Sequence, residues 1–288
     1  MKPMHVFFAA ALALCLPPDS ALAAKKRAAA HQPPAQAAWV PQPFPAGTDP
    51  LPPRYSGLNP ARTWALLKSK ADSVTKGEYE TTQEYEARIA SGGVDIAPLS
   101  TNVEYAFFLT SVRPAYDADM GAYTVRDYGF CQEAYNFGAS AGWVTCKIAA
   151  ITRKEDTYVG SNAYGAKAAI DRATGKDFGI AVRRDSSFFE SDIFDHTIES
   201  KYQTSFDLKT TANVPVEKAR TLAGYDIGVL LVGKIVSPKM VEGKAVLIEP
   251  TISKPTDIFI TLDTVPFLPT RFIFYVVQTG EILSDQPL

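Results

Sequence analysis

The chain has 288 residues, 46% hydrophobic and 21% charged, a balance ordinary for a globular protein. Its formal net charge is −2. A near-neutral chain offers no electrostatic case for nucleic acid or for an anionic membrane surface.

The first predicted element is an export signal. Lys2 and His5 give a short positive start, and Val6 to Leu16 form an apolar run. Its length, about eleven residues, falls within the roughly 7–15 of a signal core and below the roughly 20 of a membrane span. Pro17 and Pro18 break the run, and Ala21, Leu22, Ala23 and Ala24 supply small residues near a cut. Residues 1–24 therefore read as a signal peptide cleaved after Ala23, with Ala24 the next choice. Leu14 before Cys15 does not suit a lipid-anchor signal, so Cys15 leaves with the leader. This predicts an exported chain, periplasmic or secreted. The short positive start and Ala-rich cut suit a bacterium, where the compartment is the periplasm. No later segment is long and apolar enough to span a bilayer; the nearest, Phe272 to Val277, has the length of a strand.

Residues 25–58 are rich in Ala and Pro, with eight prolines between Pro33 and Pro53. Each removes a backbone donor and fixes φ, so the segment reads as an extended, disordered tether that leaves Trp39 and Phe44 either docked or exposed. The folded domain is then expected over 59–288. Asn59-Pro60 starts a helix, because Asn caps free amides and Pro is tolerated at the first helical position. A second helix opens after Thr82 and closes at Gly92-Gly93.

Strand patterns follow. Glu104 to Arg113 is apolar on both alternating faces, which predicts a central strand covered on both sides. Asp117 to Gly121 reads as a turn before a returning strand. Trp143 to Thr152, Thr157 to Arg172 and Asp177 to Arg183 read as a meander turning at 154–156 and 174–176. Tyr202 to Leu208 alternates, and a helix begins at Pro215. The last strands are Ile227 to Val236, Lys244 to Glu249, Asp257 to Leu262 and Thr270 to Gln278. Short turns favour antiparallel pairing. The fold class is α+β and β-rich, a mostly antiparallel sandwich or strongly curved sheet with a few helices. Glu86-Ala-Arg88 before Val112-Arg-Pro114 echoes Lys218-Ala-Arg220 before Val236-Ser-Pro238, which admits two related halves.

The run Lys76-Gly-Glu-Tyr-Glu-Thr-Thr-Gln-Glu-Tyr85 resembles a KGE(F/Y)ETTxEY segment of uncharacterised exported bacterial proteins, and Tyr158 to Gly165 is similar to a second such stretch. The resemblance implies export and a β-rich body. It implies no activity and carries over no functional residue.

Of three histidines, His196 alone lies in the expected folded domain, which argues against metalloprotease and zinc-finger patterns, so no metal and no cofactor is implied. Phosphate-loop, dinucleotide and G-x-S-x-G signatures are absent from the sequence. The densest catalytic candidate is Asp192, Asp195 and His196. If Ser191 caps a helix, Asp192 and His196 share one face four residues apart. A second reading of that segment is an acidic solvated loop. Cys131 and Cys146 lie close in sequence, and an oxidising compartment favours a disulfide between them, with two buried thiols the alternative. Tyr128, Phe130, Tyr135, Phe137 and Trp143 crowd around that segment, either as a binding surface or as strand residues packed inward. Two functions stay open: a non-enzymatic binding or envelope-associated protein whose partner is a protein, polymer or small ligand, and a periplasmic hydrolase using carboxylates with or without His196.

Overall fold

The computed structural model describes residues 39–70, 76–90, 96–133, 142–200, 203–236, 241–242 and 246–288; for 86, 89–90, 196–200, 203–204 and 241–242 it describes the backbone alone. The expected signal peptide, residues 25–38, the Gly92-Gly93 stop, Tyr135 and Phe137 lie outside the described residues. Residues 39–288 form one compact unit.

Its first helix, α1 (Pro60–Ser69), begins as the Asn-Pro pair dictates: Asn59 Oδ1 accepts from the Arg62 amide at 3.0 Å. Helix α2 (Thr82–Ala90) is capped one residue earlier than expected. Thr81 Oγ1 accepts from the Glu84 amide at 3.2 Å while the Glu84 carboxylate accepts from the Thr81 amide at 2.8 Å, a reciprocal capping box. Helix α3 (Val216–Thr221) follows Pro215.

The strands are β1 (Glu104–Phe108), β2 (Ala115–Asp117), β3 (Ala122–Glu133), β4 (Trp143–Ser161), β5 (Lys167–Arg183), β6 (Phe194–Ser200), β7 (Gln203–Asn213), β8 (Ile227–Ile235), β9 (Val241–Glu242), β10 (Val246–Ile248), β11 (Thr256–Val276) and β12 (Ile282–Pro287). They form one sheet in the order β1-β8-β11-β5-β4-β3-β7-β6, with β2 on β3 and β9, β10 and β12 on β11. The class is therefore β-rich α+β. Pairing is antiparallel except between β5 and β11, which run parallel from Thr256↔Asp171 to Pro266↔Ala181. Strands of the two suggested halves interleave within this sheet, β1 beside β8 and β5 beside β11.

Expected strands join differently in two places: two become one in β11, and three become two in β4 and β5. Thr270 to Gln278 continues Asp257 to Leu262 as β11, through Val265-Pro-Phe-Leu-Pro269. The prolines bend the strand: pairing passes from β5 to β8, and the register shifts between Pro269 and Arg271. Likewise 154–156 and 174–176 are not turns; they face each other midway along the β4–β5 ladder. Their charges and glycine marked solvent-facing strand, and the reversal comes at residues 162–166. There Asn162 Oδ1 accepts from the Tyr164 and Ala166 amides, and Gly165 takes a φ of 81°.

The interior is apolar. Phe107 stacks against Phe178 and Phe267 at centroid distances of 5.6 and 5.4 Å. Phe188, Phe189, Phe194 and Phe206 close the end near β6 and β7. The other face of β1, β8 and the end of β11 is covered by a segment expected to be free. From Trp39 onward the anticipated tether is a strap packed on the body. Phe44 and Leu51 are buried against Ala106, Leu230, Val232, Ile273 and Tyr275. The Phe44 amide donates to Glu104 O at 2.7 Å, Leu51 to Gly280 O at 2.8 Å and Leu58 to Ala106 O at 2.8 Å. Prolines suit this role because a strap along an edge needs few donors. It also explains β1, which is apolar on both sides yet terminal in the sheet: the strap covers one face and bridges the edge at Gly57↔Phe107.

Cys131 and Cys146 form a disulfide between directly paired positions of β3 and β4, closing a separation of 15 residues. Chain entropy predicts that reducing it lowers unfolding free energy by ~3 kcal/mol in urea titrations. The unreduced, unfolded protein is expected to show no titratable thiol from this pair. Truncating the strap's anchor, Leu51→Ala, is expected to cost ~2–5 kcal/mol with the far-ultraviolet spectrum retained. A loss below about 0.5 kcal/mol would mean that the strap is not part of the cooperative fold.

Candidate functional site

Beyond the interior the β4–β5 hairpin and the first half of β11 continue as an arm. Register decides what each face carries. On one face Arg172 and Asp156 form a two-pronged pair, both contacts at 2.8 Å, and Tyr158 donates to Asp257 at 3.1 Å. Lys176 lies 2.7 Å from Asp263 and 4.3 Å from the ring of Trp64, so α1 covers the root of this face.

The opposite face is a trench. Its rows across β11, β5 and β4 are Ile258–Ala173–Glu155, Ile260–Gly175–Arg153, Leu262–Asp177–Ala150 and Thr264–Gly179–Lys147. Strand β10 sets Val246 beside Ile260 and Ile248 beside Ile258. One side is thus aliphatic and the other charged; on β5 between them Arg153 lies over Gly175, Asp177 is buried, and Leu262 lies against buried Gly179. Gly175 and Gly179 admit no side chain: a Cβ would run into Thr152 O and Cys146 O, at the shifts of register in β4. The part of this face that is not buried on β5 runs from Asp171 to Gly175, about 13 Å. A hollow of about 100 Å³ lies at its root, between Phe130, Lys147, Val246 and Leu262; one of about 420 Å³ lies at its tip, beside Glu155, Thr157, Asp171 and Ile258.

At the root Asp177 is buried between Lys147 Nζ, at 3.1 Å, and the Arg153 guanidinium. Lys147 keeps 43% of its side chain exposed, against 7% for Asp177. On the flank of the root lies Asp127, whose pKa is raised by burial; the neighbouring Asp207 adds to this, whereas a Ser111 hydrogen bond and Lys147 oppose it. Asp207 accepts from the Gly129 amide at 2.6 Å, fixing the irregular stretch of β3.

The predicted site residues fall elsewhere. Residues 194–200 are strand, not helix, so the spacing of four between Asp192 and His196 places them on no common helical face. Ser191 starts no helix; it closes the 3-10 turn Ser187–Glu190, and its hydroxyl donates to Phe188 O at 2.6 Å. Burial of Phe188, Phe189 and Phe194 pulls the segment into the sheet. Asp192 is exposed in the preceding turn, and exposed Asp195 sits 3.5 Å from Lys209. The side chain of His196 lies outside the described residues. Among the described residues no cluster of His, Cys, Asp and Glu is arranged to hold a metal ion. The aromatic group divides: Tyr128 is 80% exposed, Phe130 is 3% exposed, and Trp143 is half-buried under Arg183. The described members form no continuous aromatic surface.

The trench residues escaped sequence reading because its pattern is apolar, small and charged on three strands distant in the chain. One signal was present: Ala173 and Gly175, two small residues at alternate positions on one face of a strand. Comparison with family models, with curated proteins and with solved structures gives no match.

Burial of Asp127 yields a pH prediction. Its folded-state pKa is raised, so its contribution to stability is fully present below the ordinary carboxylate range and lost as pH rises through the folded value. Asp127→Asn keeps a neutral side chain at all pH. Urea midpoints should therefore rise for the variant at pH 7 and match the parent near pH 3. An equal shift at both values would show that Asp127 acts through packing instead.

Proposed function

We propose that this chain is an exported binding protein of the bacterial envelope, with no catalytic role, and that it holds its partner in the trench of the arm. The single observation behind this reading is the part-exposed aliphatic row of Val246, Ile258, Ile260 and Leu262 beside exposed Arg153 and Glu155. An apolar wall left open is what binding surfaces require, and a monomer gains nothing in stability from it. The disulfide supports an oxidising compartment, as does the signal-like start. The hydrolase reading uses carboxylates with or without His196; Asp192 lies exposed in the turn before β6, whereas Asp195 lines a hollow of about 110 Å³ with Asp127 and Asp207.

Two measurements test the proposal. N-terminal sequencing of protein recovered from outside the cytoplasm is expected to begin at Ala24 or Lys25; an intact Met1 would contradict export. For the trench, Ala173→Tyr plants a ring on the floor at a half-buried position where aromatic residues suit a strand. The melting temperature is expected to change by less than about 3 °C, because few buried contacts are altered. Retention on bacterial envelope material is expected to fall to background. Full retention by this variant would remove the trench from the function.

A further inference from the structure

The arm has an edge as well as faces, and the edge carries its own chemistry whatever the faces hold. Strand β3 pairs with β4 over residues 144–146, and Thr110 donates to Ile148 O at 3.3 Å. Farther out, from Thr152 to Ser161, β4 has β5 as its one ladder partner among the described residues. Its outward amides and carbonyls are a template for another strand. Prolines, bulges and like charges are what blunt such an edge. This stretch has no proline, and its register runs unbroken. Its charges come in the order Arg153, Lys154, Glu155, Asp156. Two bases followed by two acids oppose like with like in a parallel, in-register copy, and base with acid in a reversed one.

We propose that β4 joins a second copy of this chain by this outer edge, antiparallel, about a two-fold axis at Glu155. A two-fold axis perpendicular to a sheet sets one residue of an edge strand opposite itself. With Glu155 there, Lys154 faces Asp156 of the partner subunit, and Asp156 faces the partner's Lys154. Lys154 is exposed and can reach across, whereas Arg172 already holds Asp156 in place. Each Glu155 stands diagonal to the partner's Arg153, which offsets the meeting of the two carboxylates. Exposed Val159 falls opposite the partner's Ile151, beside an apolar hollow of about 290 Å³ lined by Phe108, Ala149, Ala150 and Ile151. The partner strand then ends, at Ser161, opposite Ala149, just short of the contact between Thr110 and Ile148. An axis at Lys154 would drive it past that contact and set lysine against lysine. Two arms of four strands become one of eight, with both aliphatic rows on the same face.

The test uses the chain from Ala24 onward, with its disulfide formed, in sedimentation velocity. A monomer–dimer equilibrium with Kd of about 1–100 μM is expected, the range of small, polar interfaces. Lys154→Glu, at an exposed position, is expected to weaken it at least ~10-fold while the melting temperature stays within about 3 °C. Glu155→Gln removes the like pair on the axis and should tighten it about 3-fold. Cysteines read the register. Glu155→Cys sets two Cβ atoms about 5 Å apart and should give a covalent dimer on mild oxidation. Lys154→Cys sets its two Cα atoms about 8 Å apart and should not. A chain that stays monomeric to ~500 μM, or a dimer indifferent to Lys154→Glu, overturns the proposal. Cross-linking through position 154 in place of 155 overturns it too, because the axis would then lie elsewhere.

Discussion

Strand β11 bends at Val265-Pro-Phe-Leu-Pro269, and the rest of the molecule is arranged around that bend. Before it the strand runs parallel to β5; after it the same strand runs antiparallel to β8 and β12. A proline cannot donate to a ladder, so a proline-bearing stretch is where a strand can exchange neighbours at least cost. The exchange brings the β1–β8 pair over the interior, where Phe107 of β1 meets Phe178 of β5 and Phe267 of β11 itself. The sheet stays open at its far side, where β12 reaches β7 through Gln286: Thr210 donates to its side-chain carbonyl at 2.8 Å, and its amide donates to Thr211 O.

The bend leaves two faces to be dealt with, and the chain treats them differently. Behind β8 the strap of residues 39–58 buries Phe44 and Leu51 and supplies hydrogen bonds to the edge of β1. Tyr275 donates to Tyr55 O from beneath it, and burial raises the Tyr55 phenol to about 12. On the arm, α1 covers one face at its root through Trp64, and ion pairs lace the remainder. On the opposite face Arg153 lies over Gly175 and Gly179 is buried, and the part toward Asp171 stays open. A sheet extension gains stability from packing on its faces, and the open part of the arm forgoes that gain. Asp177 organises the root of that face by drawing Lys147 and Arg153 to one carboxylate.

Much of the architecture was legible in the sequence wherever the deciding interaction was local. Asn59-Pro60 starts α1 because an amide oxygen and a ring without a donor act within one turn. The one-residue error at α2 has the same origin: Thr81 and Thr82 are chemically equal candidates, and Glu84 selects the one three positions before it. Cys131 and Cys146 were paired correctly because they are the two cysteines outside the expected leader and lie close in sequence. The reading of Asp192 with His196 failed for the opposite reason. Burial of four phenylalanines, one of them on β7, converts that segment to strand, and no local feature announces it.

By itself, then, the sequence determined the β-rich class, the starts of the helices and the covalent bridge, since these follow from side-chain chemistry acting over a few residues or between a unique pair. Tertiary structure alone decided that 154–156 and 174–176 run straight, that 256–276 is one strand and that the proline-rich segment from Trp39 is a strap. It also decided that a trench exists at all. Each depends on which strands become neighbours, and a strand's two faces acquire meaning once a partner buries one and leaves the other open. Gly175 is a breaker when read along the chain; beside Thr152 and Ile260 it is the floor of a groove.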